Sequence, residues 1–176
     1  METGGDPPFE IQSGAFNVLV APEHVALGLL RGWLGRSRFL LLYVCGNYSR
    51  LLSRINIRNV EFDVRRAFTA SQLLSIAGEA HHTFVFLEHD PTLYSESEEM
   101  AGYVSMALRE LSRESTVVLY SPEFDGCLRS ISKMADRVFC LEVAPARRTG
   151  PRPGRAMRGR ARSYAVADGQ SRLEGF

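Results

Sequence analysis

Thr83-Phe84-Val85-Phe86-Leu87-Glu88-His89-Asp90 is the stretch that decides the fold. Four apolar residues, Phe84 to Leu87, run without interruption into two acids and a histidine, and Pro91 closes the run. A continuous β-branched and aromatic segment is the pattern of a strand buried on both faces, as at the centre of a parallel sheet. Such sheets gather ligands outside the carboxyl ends of their strands, which would put Glu88 and Asp90 at a rim.

Outward from this strand the chain alternates. Before it, Phe16 to Ala21 reads as a buried strand ended by Pro22. Val25, Ala26, Leu29, Leu30, Trp33 and Leu34 then fall on a helical period. Arg38 to Cys45 reads as a second strand, stopped by Gly46-Asn47, and a short helix is expected over Tyr48 to Arg54. Val60 to Val64 alternates apolar and polar, as a half-exposed strand near an edge does. Thr69 is placed to cap a helix whose face is Leu73, Leu74, Ile76, Ala77 and Ala80.

After the central strand, Met100, Tyr103, Val104, Ala107, Leu108 and Leu111 form one helical stripe, with Ser95 and Glu98 spaced as a capping box. Thr116 to Ser121 is a further strand. Leu128, Ile131, Met134 and Ala135 mark a helix, and Arg137 to Val143 a last strand. Buried strands alternating with helices predict an α/β fold, a mostly parallel sheet flanked by helices.

Past Val143 the pattern stops. Residues 1–13 read as a flexible N-terminus and 14–143 as the α/β domain. Residues 144–169 read as a disordered linker rich in Arg, Gly and Pro, and 170–176 as a terminal peptide. Eight arginines stand against Asp168 and Glu174 from Ala144 onward, so this tail carries +6. The whole chain is +1, which leaves the rest at −5. Of its basic residues only Lys133 is not arginine or histidine.

At 176 residues, 45% apolar and 23% charged, the chain suits one soluble domain with a tail. No apolar run nears the roughly 20 residues that cross a bilayer, and Met1 to Phe9 is unlike a secretory signal, so the expected compartment is the cytoplasm, with no membrane partner. Cys45, Cys127 and Cys140, odd in number and without Cys-x-x-Cys spacing, read as reduced thiols. Cys140 is expected to pack inside its strand. His81, His82 and His89 match no common zinc spacing and read as solvated, with no metal held.

The order of elements resembles the RecA-like ATPase core of archaeal RadA-type recombinases and KaiC-like proteins. The likeness covers about residues 14 to 143 and is carried by three pieces. These are Arg65-Arg66-Ala67-Phe68-Thr69 leading into Gln72-Leu73-Leu74, the Walker-B-like Phe84 to Glu88, and Met134-Ala135-Asp136-Arg137-Val138. It implies a P-loop NTPase fold, with Glu88 and Asp90 as the remnant of a metal-holding rim. Two departures imply lost chemistry. Where a phosphate loop needs glycines and Lys-Ser/Thr, the chain reads Ala21-Pro22-Glu23-His24-Val25-Ala26-Leu27. Where the family carries a catalytic acid it reads Cys45-Gly46-Asn47. The expectation is a degenerate domain with no catalytic residues and no cofactor. ATP and magnesium enter only under the alternative of an atypical ATPase or nucleotide switch.

The last residues, Gln170-Ser171-Arg172-Leu173-Glu174-Gly175-Phe176, place Gln170, Leu173 and Phe176 three apart, so one 3₁₀ turn would line them up. This resembles the PCNA-interacting peptide that docks on the DNA sliding clamp, with the departure that a single aromatic ends it. The resemblance implies the clamp as partner. Arg147, Arg148, Arg152, Arg155, Arg158, Arg160 and Arg162 would add non-specific, salt-dependent contacts to DNA phosphates. The expected function is an accessory in DNA repair or recombination. The alternatives are an enzyme keeping Glu88 and Asp90 as metal ligands, or a subunit completing a site with a RadA-type recombinase.

Overall fold

A computed structural model describes residues 9–35, 40–55, 62–95, 97 and 99–141. The tail arginines from Arg147 to Arg162 and the peptide residues Gln170, Leu173 and Phe176 lie outside them, as do Arg38, Val60, Glu61, Glu98 and Val143.

The strands are β1 (Phe16–Val20), β2 (Leu41–Cys45), β3 (Phe62–Arg66), β4 (Phe84–Glu88), β5 (Thr116–Ser121) and β6 (Arg137–Cys140). The helices are α1 (Glu23–Leu34), α2 (Ala70–Glu79), α3 (Met100–Leu111) and α4 (Gly126–Ser132), with 3₁₀ turns at Leu52–Arg54 and Pro91–Tyr94. One six-stranded sheet runs in the order β3-β2-β4-β5-β1-β6, and every neighbouring pair is parallel. The quoted stretch is therefore an inner strand, β4, between β2 and β5.

Both faces of β4 are buried because each face has its own core. Val85 and Leu87 join Ala70 and Leu73 of α2, Val104 and Leu108 of α3, and Leu128 and Ile131 of α4. Phe84 and Phe86 point the other way and join Leu27, Leu30 and Trp33 of α1, with Trp33 stacked on Phe84 at 4.3 Å between ring centroids. Among the described residues, three helices thus cover one face and a single helix the other.

Several expectations shift. β3 is described from Phe62, Val60 and Glu61 lying outside the described residues, and among the described strands it is at the edge, as its alternation implied. The short helix expected over Tyr48 to Arg54 is only the 3₁₀ turn Leu52–Arg54. The hydroxyl of Ser49 holds the Leu52 amide at 2.9 Å and Glu88 takes the amides of Arg50 and Leu51, so a distant carboxylate shapes this segment. Thr69 caps α2 as expected, accepting from the Gln72 amide at 3.2 Å, while Gln72 Oε1 accepts from the Phe68 amide at 2.8 Å.

Ser95 does not cap α3. It ends the turn Pro91–Tyr94, and α3 starts at Met100 with no side-chain cap. The stripe of α3 is also rotated. Tyr103 is exposed, and the buried residues are Ala101, Val104, Ser105 and Leu108. Because α3 packs against both α2 and α4, its small residues go inward, and Ser105 is tolerated there by donating to the Gly102 carbonyl at 2.7 Å. Cys140 does not pack mid-strand. It ends the outermost strand and is exposed, whereas Cys45 is buried.

The topology sets which side of the sheet each rim segment takes. From β2 the chain leaves toward the α1 side, where Leu51 and Ile55 are buried, and from β4 it leaves toward the other side, where Leu93 and Tyr94 are buried. Adjacent strands whose continuations part in this way open the sheet rim between them. Gly46, Glu88 and Asp90 stand at this rim.

Candidate functional site

Glu88 is the last residue of β4, and its side chain turns toward the α1 side. There Oε1 accepts from Ser49 Oγ at 2.6 Å, from the Leu51 amide at 3.2 Å and from the Tyr43 hydroxyl, and Oε2 accepts from the Arg50 amide at 3.0 Å. Two hydroxyls and two amides therefore converge on one carboxylate, a number that leaves few lone-pair positions open. Burial and then the Glu88 carboxylate hold the Tyr43 hydroxyl far above the ordinary tyrosine range, so it serves as a donor. Burial also raises the Cys45 thiol, more than Arg66 lowers it.

Asp90 is engaged as well. Its Oδ1 accepts from the Thr92 amide at 3.0 Å and the Thr92 hydroxyl at 2.6 Å, capping the 3₁₀ turn that follows. Its other oxygen lies so close to Gly46 that any Cβ at that position would collide with it. A side chain at Gly46 would therefore have to displace the Asp90 carboxylate.

At the head of α1, where a phosphate loop would close, Pro22 supplies no amide hydrogen and Glu23 points into solvent-side arginines. Arg54 Nη1 is 2.9 Å and Arg50 Nη1 3.9 Å from the Glu23 carboxylate. The helix N-terminus is an anion-favouring position, and here the chain's own carboxylate stands in its first turn. Beside it Tyr120 ends a row of rings, Phe62, Tyr43, Phe86 and Tyr120, at centroid spacings of 5.9, 5.5 and 5.9 Å. Among the described residues the buried Tyr120 hydroxyl has no hydrogen-bond partner, and burial, with Glu23 and Glu88 near it, pushes it up to about 12.

On the opposite face, His89 corrects the reading of solvated histidines. Its side chain is 1% exposed, Nε2 lies 2.8 Å from Asp125 Oδ2, and its ring stacks on Tyr94 at 6.0 Å. Strand alternation turns His89 away from Glu88 and into the three-helix side. Asp125 also caps α4, accepting from the Leu128 amide at 2.8 Å. Burial alone would raise its carboxyl, but the Leu128 amide and His89 together bring it below the usual range. A cleft of about 370 Å³ lies alongside, lined by Pro91, Ala101, Asp125, Gly126, Cys127 and Ser130. His82 is also largely buried, 3.7 Å from Asp63, with burial lowering its pKa, while His81 is exposed.

Glu88 and Asp90 are thus both at the rim, as read from the sequence, yet they hold separate loops and do not converge on one point. Among the described residues no three His, Cys, Asp or Glu side chains gather as a metal-binding group. Sequence reasoning missed Ser49, Tyr43 and Asp125 as partners of the rim residues. Asp125 alone carried a local signal, an Asp three residues before Leu128 at a helix start.

The chain has an archaeal relative. An uncharacterized protein of Archaeoglobus fulgidus is 38% identical to it over 132 residues, which make up 74% of this chain and 66% of that protein. The chain therefore spans slightly less than two thirds of this relative's length. No family model matches the chain. Among solved structures, the flagellar accessory protein FlaH of Methanocaldococcus jannaschii is similar over 77% of this chain and 74% of its own, at 11% identity and a TM-score of 0.47. Among the described residues, no helix is long and apolar enough to cross a membrane.

Proposed function

We propose that this chain is a non-hydrolysing, RecA-like accessory protein of DNA repair or recombination. In this reading Gln170, Leu173 and Phe176 dock on the sliding clamp, and the arginines from Arg147 to Arg162 keep the protein near DNA. The observation that carries the non-hydrolysing part is the commitment of Glu88. An acid that serves a metal must offer free lone pairs, and this one accepts from Tyr43, Ser49, Arg50 and Leu51. Glu23 standing at the head of α1 supports the same reading, since a triphosphate there would meet a like charge. The clamp part rests on the spacing of Gln170, Leu173 and Phe176 behind an arginine-rich segment.

Calorimetric titration of the full chain into a sliding clamp tests it. Binding is expected for the wild type and is expected to disappear in Phe176→Ala and in a chain ended after Asp168. Equal binding by all three would sink the clamp assignment. Separately, ATP with magnesium is expected to leave the thermal midpoint of the wild type unmoved, because a ligand that binds the folded state must raise it. A rise that is lost in Glu88→Ala would favour the nucleotide-switch alternative.

A further inference from the structure

The segment 46–50 between β2 and the first 3₁₀ turn is held at four points yet displays a ring to solvent. Gly46 is pressed against Asp90, the Arg66 guanidinium donates to the Asn47 carbonyl at 2.7 Å, Ser49 donates to Glu88, and the Arg50 amide donates to the same carboxylate. At the centre of this braced loop Tyr48 is 89% exposed. A loop fixed by a distant carboxylate has already lost the conformational freedom that binding would otherwise remove, so an aromatic on its tip is a preorganised anchor.

Its surroundings specify the occupant. β2 and β3 pair in register from Leu41 with Phe62 to Cys45 with Arg66, and the Ala67 amide continues the ladder to the Cys45 carbonyl at 2.9 Å. The ladder thus brings Arg66, at the end of β3, alongside the segment that carries Tyr48, while Phe68 lies beyond it next to Thr92 and Leu93. Arg50, whose side chain is 66% exposed, and Arg66 flank Tyr48. The nearby carboxylates lie deeper. Glu88 and Asp90 are half-buried and hydrogen-bonded, and Glu23, 36% exposed, is paired chiefly with Arg54. An exposed ring between outermost guanidiniums is the combination that stacks a base and meets the phosphates of a single strand.

We propose that this rim is a stacking site for single-stranded DNA, with Tyr48 as the base platform and Arg50 and Arg66 on the phosphates. The inference rests on the reading of the chain as a DNA accessory and names the face of the domain that meets the strand.

Fluorescence anisotropy of a labelled oligodeoxythymidylate with the full chain tests it, in parallel with a duplex of the same length. Tyr48→Ala is expected to weaken single-strand binding about tenfold and to leave duplex binding unchanged, because a base-aromatic stack contributes on this scale and paired bases are not free to make it. Tyr48→Phe is expected to keep the wild-type affinity. A variant with Arg147, Arg148, Arg152, Arg155, Arg158, Arg160 and Arg162 all changed to glutamine is expected to weaken both substrates and flatten the salt dependence. Single-strand affinity unchanged in Tyr48→Ala would overturn the inference and leave the ring to a protein partner. Equal losses on single strand and duplex would overturn it too. Either result leaves clamp recruitment and tail-borne DNA contact standing, whereas absence of clamp and DNA binding in the wild type removes the functional reading with it. An unchanged urea midpoint in Tyr48→Ala excludes misfolding as the cause.

Discussion

Glu88 is a residue whose place in the chain and whose job in the molecule diverge. Its position at the end of an inner parallel strand is that of a ligand-holding acid, but its four donors make it a brace between β4 and the segment after β2. A half-buried carboxylate with this many donors stabilises when all are present and costs when its charge is removed. Glu88→Gln presents an amide N–H₂ to groups that themselves donate, and is expected to lower unfolding stability by about 2–4 kcal/mol. Tyr43→Phe removes one donor and is expected to cost about 1 kcal/mol. In urea unfolding the double variant should lose less than the sum, since both changes break the same contact. Full additivity would mean that the tyrosine and the carboxylate do not share a bond.

At the scale of elements, α4 is a short helix, Gly126–Ser132, tied to β4 through Asp125 and the buried ring of His89. Asparagine caps a helix about as well as aspartate, so Asp125→Asn keeps the cap and removes the charge facing His89. The folded carboxyl of Asp125 lies below its ordinary value, so the native state sheds this proton more readily than the unfolded chain. Its contribution is then complete above the unfolded value of about 3.9 and is lost as pH falls through the lower folded value. Urea midpoints measured down the acid range should show wild type above Asp125→Asn near neutrality and the gap closing below about pH 4. A gap that stays constant would show that the charge contributes nothing.

These two sites also mark where the sequence stops being readable. The identity of β4, the parallel α/β architecture and the edge position of β3 follow from local pattern, because unbroken apolar runs and alternating ones report burial directly. The partners of Glu88 lie 37 to 39 residues away from it in its hydrogen-bonded loop, and Asp125 lies 36 residues from His89, so only the folded topology brings them together. The rotation of α3 was unreadable for a related reason. Periodicity gives the spacing of a stripe, but two flanking helices decide which residues face inward.

For the whole molecule, the strand order sets a gradient of protection. β2, β4, β5 and β1 each have a hydrogen-bonded neighbour on both sides and contribute to both cores, whereas β3 and β6 pair on one side only within the described sheet. The residues of β3 and β6 are mostly half-buried or exposed, while β2 and β5 are buried throughout. Opening an outer strand breaks one ladder and exposes little apolar surface, so it costs only part of the global free energy, while opening β4 requires both cores to come apart. Native-state amide exchange should therefore order the strands, with β4 and β5 exchanging only through global unfolding and β3 and β6 through smaller openings. Raising urea should accelerate β4 amides with the full global slope and leave β3 amides nearly insensitive until the main transition, because a local opening exposes too little surface to respond. If β3 amides followed β4 at every urea concentration, the sheet would be a single cooperative unit and the brace between Glu88 and the segment after β2 would have to extend to its edge. That outcome would also move Tyr48 onto the most stable part of the molecule, which is where a preorganised anchor gains most.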